Sequence, residues 1–261
     1  PAQGLREGGE SARRSLINAT RSIRPTCTSG MTACGHPAFR LLVLTVVGCA
    51  GNGAGAERAA PDWDAERSRM VDRQLAARDI RSERVLKAMR QVPRHRFVPE
   101  VRRADAYGDF PLPIGHGQTI SQPYIVAFMT EALEVQPGHA VLEVGTGSGY
   151  QAAVLSLLAK MVYTIEIVPP LADRARATLQ DLGYRNVEVR TGNGYYGWPE
   201  HAPFDRIMVT AAPDEVPRVL VDQLRIGGLM AIPVGIDIQE LRILRRTAAG
   251  VETLRPLPVR F

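Results

Sequence analysis

Residues Val141 to Tyr150 read Val-Leu-Glu-Val-Gly-Thr-Gly-Ser-Gly-Tyr, an acidic residue followed by alternating glycines. The run joins a short apolar segment, Ala140–Val144, to a helix-forming stretch that reaches Leu158. Glycine at such a junction lets the backbone turn sharply and approach a ligand closely. A second acid, Glu166, lies at the end of the next apolar run, Val162–Ile167. Carboxylates at the carboxyl ends of neighbouring strands stand where open α/β sheets bind ligands.

The spacing narrows the ligand. A dinucleotide fingerprint needs its third glycine where Tyr150 stands, and Gly149 arrives one residue early. The loop suits S-adenosylmethionine better, with Gly145, Thr146, Gly147 and Ser148 along its methionine and ribose portion. Glu166 would then accept hydrogen bonds from both ribose hydroxyls. A tight strand-to-helix connection needs glycine with or without a ligand, and Glu143 and Glu166 also suit a structural carboxylate and a strand-end solvent residue. Their joint placement favours the cofactor.

Those residues need a scaffold, and the chain beyond Pro137-Gly138 alternates strand and helix. Pro169-Pro170 opens a helix that Gly183 stops. Further strands are predicted at Val187–Arg190, Arg206–Thr210 and Leu229–Val234, with a helix from about Val216 to Leu224. This alternation predicts a mostly parallel sheet with helices on both faces. Leu241–Arg246 and Val251–Phe261 read as antiparallel additions at one edge.

Upstream, Trp63, Met70, Val71, Leu75 and Ile80 are spaced as one apolar stripe of an amphipathic helix. Ser82 can cap a second helix reaching Val92. Pro93, Pro99, Pro111 and Pro113 then give an extended, turn-rich stretch as far as Gln118. Ser121 starts a helix with Ile125, Val126, Met129 and Leu133 on one face, and its spacing alone favours an N-cap. Trp198 and Tyr195 read as core or lid aromatics. The expected organisation is an extension over 1–60, helices and a substrate-side segment over 61–136, and the cofactor-binding core over 137–261.

Composition excludes several functions. The formal charge of +5 comes mostly from residues 1–60, with seven arginines against three glutamates, whereas 61–261 carry 25 basic and 24 acidic side chains. Nucleic acid is therefore not an expected partner, and the arginines from Arg67 to Arg103 read as solvated helix faces. Cys27, Cys34 and Cys49 all precede residue 61, which excludes disulfides and thiolate catalysis from the expected domain. The scattered histidines lack ligand spacing, so no metal is expected.

Residues 1–30 lack hydrophobic periodicity, and Met31 is a candidate translation start. Residues 39–56 resemble a signal segment too short to span a bilayer. Val46-Val47-Gly48-Cys49 suits lipoprotein processing, and Ala54-Gly55-Ala56 suits a signal peptidase. A disordered or misannotated extension fits as well. Supply of S-adenosylmethionine in the cytosol points to a cytoplasmic protein, with export as the alternative.

Several motifs together resemble the protein-L-isoaspartate (D-aspartate) O-methyltransferases from about Trp63 onward. They are Gly117-Gln118-Thr119-Ile120-Ser121-Gln122-Pro123, the run Val141 to Gln151, Tyr163-Thr164-Ile165-Glu166, Gly197-Trp198-Pro199-Glu200 leading to Pro203-Phe204-Asp205, Val209-Thr210-Ala211-Ala212, and Val259-Arg260-Phe261. The resemblance implies a Rossmann-like class I methyltransferase fold with an N-terminal helical extension, acting as a monomer on isoaspartyl-containing proteins and peptides. It implies that Ser121 sits at the active site, that Thr119 and Ile120 help hold the substrate, and that Glu143, Gly145, Gly147 and Glu166 bind the cofactor. It reverses the cap reading of Ser121.

Two departures stand out. Gly192-Asn193-Gly194 replaces the family's Gly-Asp-Gly, and Asn193, next to Gly194, is expected to accept a hydrogen bond from the adenine amino group with weaker cofactor binding. The chain stops at Phe261, where an incomplete last strand is expected. The segment Gly108 to Ser121 is the candidate lid or peptide-binding strand. The alternative enzyme reading is methylation of a small-molecule carboxylate or hydroxyl; a third is an exported binding protein without turnover.

Overall fold

The computed structural model describes residues 61–236 and 239–259. The signal-like segment 39–56, the three cysteines, Arg260 and Phe261 lie outside the described residues.

The first helix, α1 (Trp63–Met70), starts where the Asp62 carboxylate accepts the N–H groups of Asp64 and Ala65 at 3.1 and 3.0 Å. It runs on as a π-helical stretch, Val71–Ala76, whose wider turn is marked by Ala77 N donating to Asp72 O at 3.2 Å. The predicted stripe survives that change of pitch, since Met70, Val71, Leu75 and Ile80 are all buried. Helix α2 (Glu83–Gln91) begins at Ser82 as expected, with Ser82 Oγ accepting from Val85 N at 3.4 Å.

The proline-rich stretch is more ordered than the sequence suggested. It holds two 3-10 turns and a hairpin, β1 (Leu112–Gly115) with β2 (Gln118–Ile120). His116 and Gly117 both have positive φ, 54° and 73°, as a two-residue type I′ connection requires. Helix α3 (Pro123–Ala132) follows.

The main sheet has seven strands in the order β5-β4-β3-β6-β7-β8-β9. These are β3 (Ala140–Val144), β4 (Met161–Glu166), β5 (Val187–Thr191), β6 (Phe204–Val209), β7 (Leu224–Val234), β8 (Gln239–Thr247) and β9 (Gly250–Val259). The first five are parallel, and β8 and β9 are antiparallel, as the sequence predicted. Strand β7 starts earlier than expected, and α6 (Arg218–Gln223) is correspondingly short.

Alternate residues of β3 enter different hydrophobic layers. Val141 joins the cluster that contains Leu75, Met89, Leu133 and α4 (Tyr150–Ser156), whereas Leu142 and Val144 join Ile165, Phe204, Ile207 and Met230. Burial on both faces is why this strand reads as a continuous apolar run. Because the first cluster draws on residues from both 61–136 and 137–261, the N-terminal helices share the core of the sheet. No helix among the described residues is long and apolar enough to cross a membrane.

Candidate active site

The sheet reverses its winding at β3, between β4 and β6, and the glycine loop leaves the carboxyl end of that strand. Gly145, Gly147 and Gly149 have φ of 102°, 53° and 87°, but they answer different needs. A Cβ on Gly145 would lie 2.4 Å from Thr210 Oγ1 at the end of β6. A Cβ on Gly149 would press to 3.3 Å against Ala175 and Leu179 of α5 (Pro169–Asp181), so this glycine admits helix packing. Only Gly147 turns toward the hairpin, where a Cβ would sit 3.6 Å from Ile114 Cδ1. The loop's start is tied to β4, because Gly145 N and Thr146 N both donate to Ile165 O at 2.8 and 3.2 Å.

Glu166 is oriented by backbone donors. Its Oε2 accepts from Gly147 N at 2.7 Å and its Oε1 from Val168 N at 2.9 Å. Each oxygen retains a second lone pair, so the carboxylate can still accept from two hydroxyls.

Glu143 lies deeper than expected, fully buried beneath the loop. Its Oε2 accepts from Thr164 Oγ1 at 2.5 Å, and Thr164 Oγ1 is 2.6 Å from Thr146 Oγ1. Burial pushes the Glu143 carboxyl up to about 8, opposed by the Thr164 bond and assisted by the nearby charge of Glu166. The neutral acid prevails near pH 7, and its Oε1 is buried without a hydrogen-bond partner. Thr146 and Ser148 are also buried; Ser148 Oγ accepts from Tyr150 N at 3.3 Å. These side chains turn inward and hold the loop's shape.

The loop after β5 meets the same end of the sheet. Gly192 N donates to Glu166 O at 2.9 Å, and a Cβ on Gly194 would lie 2.4 Å from Val144 Cγ1. Asn193 is exposed, but its Oδ1 already accepts from Tyr195 N at 3.0 Å, capping the turn at 194–196. Trp198 belongs to the core, at 6% exposure, whereas Ile167, Tyr195 and Tyr196 expose 61%, 48% and 63% of their surface. Ile167, directly after Glu166, offers an apolar face that the sequence reading passed over.

Of the residues expected to hold the substrate, Thr119 is exposed at the hairpin, Ile120 is buried in the core, and Ser121 is half-buried. Ser121 is not the N-cap of α3. The cap position is Gln122, which makes no side-chain cap bond, and the first turn instead receives Asp109, whose Oδ1 accepts from Tyr124 N at 3.3 Å. Pro123 at N1 shifts the helix start past Ser121.

Arg94 departs from the solvated arginines of its stretch, most of which are exposed as expected. Its side chain is 0% exposed, donating to Ala106 O from Nε at 2.7 Å and to Ser121 O from Nη2 at 2.8 Å. The guanidinium carbon lies 4.8 Å from the centre of the Tyr150 ring. Thr164 was also missed; a polar residue inside the buried run Val162–Ile167 was its only signal, because such a group needs a partner.

A parallel sheet reversing at β3, a glycine loop there and an acid ending β4 define the Rossmann-like methyltransferase class of fold. A family model for protein-L-isoaspartate(D-aspartate) O-methyltransferase (PCMT) matches residues 65–261. Protein-L-isoaspartate O-methyltransferase of Gloeobacter violaceus is 57% identical over 194 residues, covering 74% of this chain and 95% of the relative. A Synechococcus enzyme of the same name is 57% identical over 211 residues, covering 78% of this chain and 86% of the relative. A solved protein-L-isoaspartate O-methyltransferase superposes with a TM-score of 0.69 at 30% identity, over 75% of this chain and 64% of that one. A Plasmodium falciparum beta-aspartate methyltransferase (PCMT) in complex with S-adenosyl-L-homocysteine gives a TM-score of 0.64 at 27% identity, over 75% and 96% of the two chains. The chain belongs to the protein-L-isoaspartate(D-aspartate) O-methyltransferase family.

Proposed function

We propose that this protein transfers a methyl group from S-adenosylmethionine to the free carboxylate of L-isoaspartyl residues in damaged proteins and peptides. The observation that carries the reading is the close approach of the hairpin to the glycine loop. The hairpin that leads to Ser121 comes up to the loop whose N–H orients Glu166, since a Cβ added at Gly147 would lie 3.6 Å from Ile114 Cδ1.

The residues present suit the cofactor. The loop around Gly145 and Gly147 exposes backbone where a Cβ would clash or strain, Glu166 keeps lone pairs for ribose hydroxyls, and Ile167 offers an apolar face beside it. Glu143 acts through Thr164 and Thr146 to hold the loop. When bound, S-adenosylmethionine supplies an electrophilic methyl group on a sulfonium centre.

The acceptor needs no base, because a free carboxyl with a pKa of about 4 is ionised near neutral pH. What the chain must provide is orientation and exclusion of water. Thr119, the Ile120 backbone and the Ser121 hydroxyl hold the substrate carboxylate in place, and the hairpin covers it. Asn193 and Gly194 bound the adenine end. Esterification gives the misplaced carboxyl carbon a methoxide leaving group, so the following backbone nitrogen can attack that carbon and expel methanol; hydrolysis of the succinimide formed partly returns aspartate.

The same reading gives a monomeric cytosolic enzyme, since its methyl donor is made in the cytosol; native and intact-mass measurements test both points. The function is tested with isotope-labelled methyl donor. Base-labile label is expected on an isoaspartyl peptide and not on its aspartyl counterpart. Label only on a small-molecule acceptor, or none at all, would overturn it.

A further inference from the structure

Arg94 is the only arginine among the buried polar residues of the described chain, yet it neither faces a carboxylate partner nor belongs to the cofactor loop. The groups that act on its charge are the phenols of Tyr150 and Tyr107 and the carboxylate of Asp109, and burial lowers its pKa to about 10, so it remains a cation at neutral pH. Burying a cation without a paired anion is costly unless its donors are well used. Two are used, on Ala106 O and Ser121 O, while Nη1 is buried without a partner.

The geometry has one further element. Tyr150 opens α4 directly after Gly149, and its ring faces the Arg94 guanidinium at 4.8 Å. The ring itself is buried and edge-packed on Phe97 at 5.7 Å between centroids. One rigid, planar group therefore touches the carbonyl of Ser121 on the substrate side and the first helical residue behind the glycine loop on the cofactor side.

We propose that Arg94 is a positioning residue for methyl transfer, fixing the Ser121 segment relative to the glycine loop through its bond to the Ser121 carbonyl and its stacking on Tyr150. The claim rests on the placement of Ser121 at the substrate carboxylate. A group that sets the distance between two bound reactants acts on turnover, because small errors of alignment are costly in rate. Lysine carries the charge but is a point donor without a planar fork, so it cannot hold both carbonyls and stack at once.

The test compares R94K and R94M with L75A, which loosens the same buried layer through a residue 0% exposed in the π-helical stretch. Turnover of an isoaspartyl peptide is measured per folded molecule, alongside affinity for S-adenosylhomocysteine. R94K is expected to lower kcat by about tenfold or more while cofactor affinity stays near that of the parent, and L75A to lower the melting temperature with kcat per folded molecule intact. R94M is expected to match or exceed the loss in R94K; should it not fold, R94K carries the comparison. If R94K and L75A behave alike once corrected for folded fraction, Arg94 is only structural and the proposal fails. S121A is the control for the underlying reading: normal turnover in S121A removes Ser121 from the site, whereas a loss in S121A with none in R94K rejects Arg94 alone.

Discussion

Thr164 and Glu143 face each other in register on adjacent parallel strands, and the threonine hydroxyl donates to the buried carboxyl at 2.5 Å. Since Thr164 has one proton to give, the 2.6 Å contact with Thr146 makes Thr146 the donor to Thr164. A polar chain thus runs from the glycine loop to the centre of the sheet.

This relationship makes stability depend on pH. The folded carboxyl of Glu143 titrates at about 8, above its ordinary value, so the folded state binds more protons than the unfolded one in between. Stability contributed by this group is present at low pH and is lost as pH rises toward 8. Glu143→Gln removes the titration, and its melting temperature should gain on the parent's progressively from about pH 5 to 8. Parallel melting curves across that range would defeat this account.

Glu166 is expected to act through charge. Glu166→Gln keeps an acceptor but replaces charge-assisted bonds to two hydroxyls by neutral ones, weakening S-adenosylhomocysteine binding by about 2 kcal/mol. Calorimetric titration of the folded variant checks it, and unchanged affinity would take Glu166 out of the site.

For Ser121, stability and activity are expected to separate. Because Ser121 caps no helix, Ser121→Ala should alter stability by less than about 0.5 kcal/mol while turnover on an isoaspartyl peptide falls sharply. Thermal melting and steady-state kinetics on one preparation decide this; intact turnover rules out a substrate role.

Asp109 should show the reverse balance in folding. Asp109→Ala loses the bond to Tyr124 N and the 3.0 Å pair with Arg78, and is expected to cost about 1 kcal/mol, with Asp109→Asn recovering most of it. Denaturant unfolding of both variants tests the assignment, and equal loss in the two would mean that the charge and not the cap matters.

The Asn193-Gly194 step is a deamidation site by sequence, but the folded loop engages the Asn193 side-chain oxygen on Tyr195 N. Bound S-adenosylhomocysteine should slow deamidation further by suppressing opening of the loop. Asn193→Asp retains the cap and should bind the cofactor more tightly. Peptide mapping of aged protein and titration of the variant measure the two effects; equal deamidation with and without ligand, and no gain in affinity, would place this loop away from the cofactor.

Much of this molecule is legible from its sequence because the signals are local. Periodicity locates α2 and the parallel strands, Pro169 and Gly183 bound α5, and the glycines place a tight turn at the carboxyl end of β3 with Glu166 ending the next strand. Turn chemistry was less transparent: His116 supplies a positive φ without being glycine, so the hairpin read as an irregular stretch.

Contacts between distant residues required the fold. Ser121 looked like a cap until Pro123 began the helix one residue beyond Gln122 and Asp109 reached its first turn from 15 residues upstream. Arg94 looked like one more surface arginine among many, because burial of a single side chain in an aperiodic segment leaves no pattern in the chain. The strand order brings Thr164 opposite Glu143, and the packing of three separate segments encloses Arg94. Backbone periodicity and turn preference are properties of neighbouring residues, so the sequence alone determines most of the helices and parallel strands and the glycine loop between them; burial, pairing and the pKa of Glu143 depend on what other segments place around a residue, and only the tertiary structure decides them.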